Sequence, residues 1–489
     1  MASRSTSNEK TAMNILLMLP LRPKGSKNIF YGPDLGLGYL ASALRKNLGA
    51  EINISMFINR LDLTDDEFGT YLVKGRFDVV AIKFFSTNVS SAARTISQVR
   101  KFLPEAKIVI GGPQPTGDPF EILNYISADY AFREESELGF PIFIERLIAH
   151  KTNEFGEDVL RDVPGLIWRK GESIICNPPK VVEDLDSLVM PAWDLMDPRD
   201  FPFQRDYTFA MNYPMAPFIT SRGCPFKCTF CSVGAIKFRE RSIANVIEEL
   251  KVLHEKFGVR EFNMIDNCCG YRVEYMINFC KALIDSGLNV PWNGSGGTKV
   301  TSITSEMLYW MKKSGCNKIW VGIESGSPRI LKKIKKGITL EQVEEKVILA
   351  NKAKVDVNGF FMLGIPGEMR EDVRKTMDFS KRINLQGAIF NIFVPVPGTE
   401  LYEELKREGK LENLNFDELD QKYYKNNFTE CTPEELVRLR VKAYWSFHLR
   451  PKIIFGRMRF LAGLLVNPEK LYFWIKYVMW NFFLNGRLW

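Results

Sequence analysis

Twice along this chain, short apolar runs alternate with stretches of helical spacing. The first series comprises NILLMLPL (14–21), GLGYLASALRKNLG (36–49), INISMF (52–57), DVVAIKFF (78–85), SSAARTISQVRKFL (90–103) and KIVIGGP (107–113). Strands joined through helices run parallel, because the helix carries the chain back before the next strand begins. The alternation predicts a parallel sheet with helices on both faces. Residues 1–150 are therefore read as a Rossmann-like, flavodoxin-like domain of the α/β class. Ligands of such sheets bind beyond the carboxyl ends of the strands. That places Ser86, Thr87, Asn88, Gly111, Gly112 and Pro113 in the candidate loops.

The second series starts at Pro217. Its strand-like runs are PFITSR (217–222), REFNMI (260–265), VPWNGSGGTKV (290–300), KIWVGIE (318–324), VDVNGFFMLG (355–364) and GAIFNIFVPV (387–396), with helix-like runs between them. Six such runs fall short of the eight in a closed barrel, so residues 206–410 are expected to form a partial (β/α)6 barrel, TIM-like but open. Barrel active sites sit at the C-terminal ends of the strands. Between the two series, residues 151–205 read as a hairpin around Lys170-Gly171 and a linker rich in prolines and acids. Residues 411–489 read as a helical C-terminal region. At ~150 residues per domain, a chain of 489 residues accommodates this division.

Directly after the first strand of the second series comes SRGCPFKCTFCSVG (221–234). Cys224, Cys228 and Cys231 form C-x3-C-x2-C, three of only nine cysteines in the chain. The segment MASRSTSNEK lacks the apolar core of a secretory signal, so the thiols are expected to be reduced, in the cytoplasm. Thiolates select zinc or iron–sulfur clusters over hard metals. Structural zinc takes four protein ligands, whereas three cysteines on an iron–sulfur cube leave one iron open for chemistry. A zinc knuckle completed by a distant ligand, in a non-enzymatic interaction protein, is the alternative of a different class. Three merely packed cysteines are the bland one. Schemes needing several imidazoles start with only His150, His254 and His448. A net charge of +8 is too diffuse to indicate nucleic acid, and no uncharged apolar run is long enough to predict a spanning helix.

The motif and its place resemble the radical S-adenosylmethionine (radical SAM) superfamily. RGCPFKCTFCS, GIESGSPRILKKIKKG (322–337), FMLGIPGE (361–368) and VPVPGTELYEEL (394–405) are similar to successive landmarks of its cobalamin-binding branch. GLGYLASAL, IGGPQPT and DYAFREESE (129–137) are similar to that branch's cobalamin domain. The resemblance implies a [4Fe-4S] cluster on Cys224, Cys228 and Cys231, with SAM on the open iron. It implies SAM contacts at Phe230, Glu324, Ser325 and the backbone of Gly364, Ile365 and Pro366. MIDNCCG supplies Asp266 and Asn267 where the family is usually richer in acids, and Lys299 stands where an arginine is common. The bland alternative for Glu324 is an ion pair with Lys318 or Arg329, and its place at the barrel mouth favours the SAM role. Cys268 and Cys269 read as small packing residues, against a redox or substrate role.

For cobalamin the resemblance implies binding without a protein histidine, since none precedes His150. The ring is expected against the loops at 86–88 and 111–113 and against Leu35, Gly36, Tyr39 and Glu135. The implied activity is methylation of an unactivated carbon or similar centre, through a 5′-deoxyadenosyl radical and methylcobalamin. The runner-up is cyclisation, C–C bond formation or oxidation of a lipid or tetrapyrrole without methyl transfer. A small-molecule or lipid-like substrate and an external electron donor such as flavodoxin or ferredoxin follow. The tail 457–489 mixes aromatic and basic residues, and reads as either a packed helix or a peripheral contact with the cytoplasmic membrane face.

Overall fold

The structure, a computed structural model, describes residues 12–21, 32–58, 63–150, 157–201, 212–234, 236–412, 414–416, 419, 421, 424–425 and 428–456. The expected membrane or packing role of 457–489 falls outside them. The chain divides into two compact units. One comprises Met1–Pro23, Asp34–Glu183 and Ser187–Met196; the other comprises Lys24–Pro33, Asp184–Asp186 and Asp197–Trp489.

The first unit is built on a seven-stranded sheet. Its strands are β1 (Met13–Met18), β2 (Ile52–Phe57), β3 (Val79–Lys83), β4 (Lys107–Gly111), β5 (Tyr130–Phe132), β6 (Leu166–Lys170) and β7 (Ser173–Cys176), in the order β2-β1-β3-β4-β5-β6-β7. β1 to β5 are parallel, as the alternation predicts. Ile15, Leu16, Leu17 and Met18 are all fully buried, which explains a continuous apolar run rather than an in/out alternation. The hairpin around Lys170-Gly171 forms as β6 and β7 and extends this same sheet, antiparallel to β5. The helix Leu35–Leu48 starts at Asp34, whose carboxylate accepts the Leu37 N–H at 2.9 Å. Its buried face packs with Ile15, Val79, Phe140 and Phe143 in one core. From β1 the chain runs outward to β2 and then crosses back to β3. The crevice between β1 and β3 is therefore the topological switch point.

The second unit carries β8 (Met215–Phe218), β9 (Ser221–Arg222), β10 (Arg239–Glu240), β11 (Glu261–Met264), β12 (Trp292–Thr298), β13 (Cys316–Glu324), β14 (Asp356–Leu363) and β15 (Gly387–Ile392). Six of these form one parallel sheet in the order β15-β14-β13-β12-β11-β8, an open partial barrel in which every neighbour follows in sequence. Phe218, Phe262, Phe279 and Trp292 pack ring against ring beneath it. The helix Pro433–His448 opens with a capping box between Thr432 and Glu435 and packs on β15. There a His448 ring nitrogen lies 3.0 Å from the Ala388 carbonyl oxygen. No described helix is long and apolar enough to cross a membrane.

The run 217–222, expected as one strand, is broken. β8 stops at Phe218, and Ser221–Arg222 pair instead with Arg239–Glu240 in a separate two-stranded ladder. The cause is local: Thr220 and Ser221 are drawn off the main ladder by hydrogen bonds to Asp266.

Candidate active site and cofactor face

The cysteine loop lies at the C-terminal end of β8, on the mouth side of the open barrel. Asp266, just beyond β11, accepts from the Thr220 N–H at 2.7 Å, the Thr220 hydroxyl at 2.5 Å and the Ser221 hydroxyl at 2.6 Å. It is buried, and desolvation pushes its carboxyl up against these bonds. Both oxygens are thus committed to anchoring the entry of the loop. Gly223 follows with φ +84°, and a Cβ there would meet the Lys237 carbonyl oxygen at 2.2 Å, so only glycine fits the turn. The loop is then tied at several points. The Cys224 N–H donates to the Ile236 carbonyl, Thr229 N–H to the Ile334 carbonyl, and Leu401 N–H to the Thr229 carbonyl.

Within this frame Cys224, Cys228 and Cys231 are all half-buried free thiols. The neighbouring Cys268 thiol, with backbone donation at Phe226 and the charges of Lys336 and Lys299, holds Cys224 below the ordinary thiol value against the opposing effect of burial. Burial pushes Cys228 and Cys231 up, opposed at both by Lys336. No three His, Cys, Asp or Glu side chains among the described residues converge as ligands of a single metal ion. A cube takes one thiolate per iron at separate corners, so three thiols spaced along a fixed loop suit it without converging. The donor set and the open barrel mouth fit a cluster.

Two lysines flank the thiols. Lys336 Nζ lies 2.8 Å from Glu324 Oε1, with both side chains mostly buried, and 5.8 Å from the centre of the Phe230 ring. Burial works against the Lys336 ammonium, but the Glu324 carboxylate and the Cys228 sulfur outweigh it and the net shift is upward. Lys299 Nζ donates to the Lys336 carbonyl at 2.5 Å and stands 4.1 Å over the Phe226 ring; burial and Lys336 lower it. Glu324, the last residue of β13, has φ +68°, and the β13–β14 register slips between Gly322 and Glu324. A left-handed glutamate is a strained conformation of the kind found at functional sites.

The remaining expected SAM contacts spread more widely. Ser325 is fully buried, and its hydroxyl is engaged with Thr376 and the Ser327 N–H. Asn267 is exposed. Gly364 has φ +81° and, with Ile365, donates backbone N–H groups to Glu368. Glu368 is fully buried, its Oε1 has no partner, and desolvation pushes its carboxyl up to about 8. The sequence reading singled out neither Lys336 nor Glu368, and read Cys268 as packing. Only the charge-rich LKKIKKG and the glutamate closing GIPGE hinted at the first two.

In the first unit, the loops after β3 and β4 lie side by side. The Phe84 N–H donates to the Gly111 carbonyl, and the Gln114 N–H reaches the Phe84 carbonyl. Gly112 has φ +100°, and a Cβ there would stand 2.8 Å from the Phe84 carbonyl oxygen. Ser86 is buried, Thr87 exposed, and Asn88 accepts the Phe85 N–H; Pro113 opens the short helix after Gly112. Of the helix Leu35–Leu48, Gly36 is exposed while Leu35 and Tyr39 are buried. Glu135 is turned to the Val182 N–H at 2.9 Å. Backbone and glycine at the switch point make a cradle that side chains would fill, and a flat macrocyclic cofactor fits it.

Comparison with known proteins agrees with both halves. The family model described as the radical SAM superfamily matches residues 218–380, and the B12 binding domain model matches residues 29–144. An uncharacterized methyltransferase of Pyrococcus horikoshii is 32% identical over 453 residues, covering 90% of this chain and 94% of the relative. The cytidylyl-2-hydroxyethylphosphonate methyltransferase of Streptomyces wedmorensis is 27% identical over 77% of this chain and 78% of its own length. Among solved structures, the radical SAM methyltransferase TsrM from Kitasatospora setae, with cobalamin and a [4Fe-4S] cluster bound, superposes with a TM-score of 0.66 at 16% identity. It covers 90% of both chains.

Proposed function

The chain belongs to the radical SAM superfamily, in the branch that carries a B12-binding domain, and on that premise we propose that it is a cobalamin-dependent radical SAM methyltransferase. It methylates an unactivated carbon or similar centre of a small-molecule or lipid-like substrate. The observation that carries the reading is the three-thiol loop at the mouth of a six-stranded open barrel, in a chain whose other sheet ends in a glycine-lined switch point. The methyltransferase relative that is 32% identical over 90% of the chain favours methyl transfer over cyclisation.

When bound, the cluster supplies the electron that cleaves SAM and the corrin supplies the methyl carrier. The chain's own residues do the rest. Cys224, Cys228 and Cys231 hold the cluster, and Gly223 and Asp266 hold their loop. Glu324 and Lys336, charged and mostly buried, receive the amino and carboxylate ends of SAM's methionyl group. Phe230 and the backbone of Gly364–Pro366 border the adenosyl half. Lys299 supports Lys336 through its carbonyl. Phe226 and Phe230 limit water at the loop, which protects a reactive carbon radical. In the other unit, the loops 86–88 and 111–113 with Gly36 receive the corrin. An external one-electron donor such as flavodoxin or ferredoxin completes the system.

Anaerobic reconstitution with iron, sulfide, cobalamin and SAM tests this. The expected result is a brown protein with about four irons per chain that forms 5′-deoxyadenosine and S-adenosylhomocysteine under a strong reductant. 5′-Deoxyadenosine alone, with cobalamin bound, turns the reading to radical chemistry without methyl transfer. Colourless protein with zinc overturns it.

A further inference from the structure

The crevice between β1 and β3 holds one feature that the cradle does not require. Lys83, the last residue of β3, stands at the switch point itself. Its ammonium lies 2.8 Å and 2.9 Å from the two oxygens of Asp34. Asp34 cannot swing away, because the same carboxylate caps the Leu37 N–H. The aspartate is 5% exposed, whereas the lysine keeps 24% of its side chain open. The glycines on either side leave the lysine room. A Cβ on Gly36 would fall 2.7 Å from Lys83 Nζ, and one on Gly112 would fall 3.0 Å from Lys83 Cγ. Phe85, an exposed aromatic, lies with its ring centre 5.9 Å from the ammonium. A fixed cation, an open aromatic ring and two glycines thus share the ligand end of the central strand.

We propose that Lys83, steered by Asp34, is the group this sheet turns toward the metal face of a bound corrin. The inference rests on the cobalamin reading above. No histidine precedes His150, so an imidazole from the loops of β1, β3 and β4 has no candidate for that place. A protonated amine has no lone pair and cannot coordinate cobalt. It would set a positive charge beside the cobalt without becoming a ligand to it. A nearby positive charge favours whichever oxidation state is the less positive. Lys83 thereby eases one-electron reduction of the cobalt, while Asp34 holds the ammonium in place and, by its own negative charge, offsets part of that effect.

The test is potentiometric titration of the cobalamin-loaded full chain, followed in the visible spectrum. Lys83→Met shifts the Co(II)/Co(I) midpoint to more negative potential, by about a tenfold change in the reduced-to-oxidised ratio, or ~59 mV for one electron. Asp34→Asn shifts it the opposite way, and carries the test alone should Lys83→Met fail to fold. Midpoints that stay put in both folded variants overturn the proposal. Cobinamide, which lacks the nucleotide tail, supplies the second arm. Retained cobinamide binding with cobalamin binding lost in Lys83→Met marks a contact to the tail phosphate and overturns it also. A native chain that takes up neither corrinoid sinks the cobalamin reading itself, and this assignment with it.

Discussion

The two large sheets of this chain make their sites by different means. In the first, a doubly wound order opens a crevice between β1 and β3, lined by glycine, backbone and a single ion pair. In the second, the strands follow one another in order and no crevice arises from topology. The mouth is instead furnished with side chains: three thiols, two lysines, a strained glutamate and two buried acids. Where topology opens the site, backbone and small residues suffice for a large rigid cofactor. Where it does not, reactive groups have to be placed one at a time and held by second partners.

The sharpest way to break this contrast is to remove a thiol. Cys228→Ser is expected to abolish cluster assembly and lower 5′-deoxyadenosine formation by ~1,000-fold or more, an estimate for loss of a group the chemistry cannot do without. Corrinoid uptake, measured by the visible spectrum, should be untouched. Loss of both would show that the two sheets do not make their sites independently. Next, Lys336→Met leaves Glu324 mostly buried and without its cation. It also removes the charge that receives SAM's carboxylate, and truncating one partner of a buried charge pair between protein and ligand costs about 3 kcal/mol of binding, so SAM affinity by calorimetry should fall by roughly 100-fold while iron content stays constant. Unchanged affinity would remove Lys336 from the SAM site.

The backbone side of the contrast is tested at Gly112. Its φ of +100° and the Phe84 carbonyl leave no place for a Cβ. Gly112→Ala is expected to cost about 2 kcal/mol of stability and to weaken corrinoid binding, read by melting with and without cobalamin. The smallest effect concerns Glu368, raised from 4.5 to about 8 by burial. Its folded form prefers the proton. That contribution is complete below the unfolded value near 4.5 and is lost as pH rises through about 8. Melting temperature should therefore decline from pH 6 to pH 9. Glu368→Gln, which keeps an oxygen for Gly364 and Ile365 and cannot ionise, should flatten that decline.

The same contrast explains how much of the molecule is legible in its sequence. Strand and helix runs were legible in both halves because apolar periodicity reflects burial, and burial is what the sheets provide. The three cysteines were legible because thiols are rare and their spacing has few uses. Lys336 was not, since PRILKKIKKG offers four lysines and nothing in their spacing selects one. The strain at Glu324 is a backbone property that no residue type announces. Asp34 and Lys83 are 49 positions apart, and only the crossing from β2 back to β3 joins them. The break after Phe218 was hidden for a similar reason: it depends on Asp266, 46 residues downstream of Thr220.

The hairpin of β6 and β7 has a practical consequence. β6 runs against β5, so the turn at Lys170-Gly171 emerges at the end of the sheet opposite the strand ends that face the ligand. Gly171 has open space around it. A spectroscopic label, or a linker tethering the protein to an electrode, can be attached there without crowding the corrin cradle.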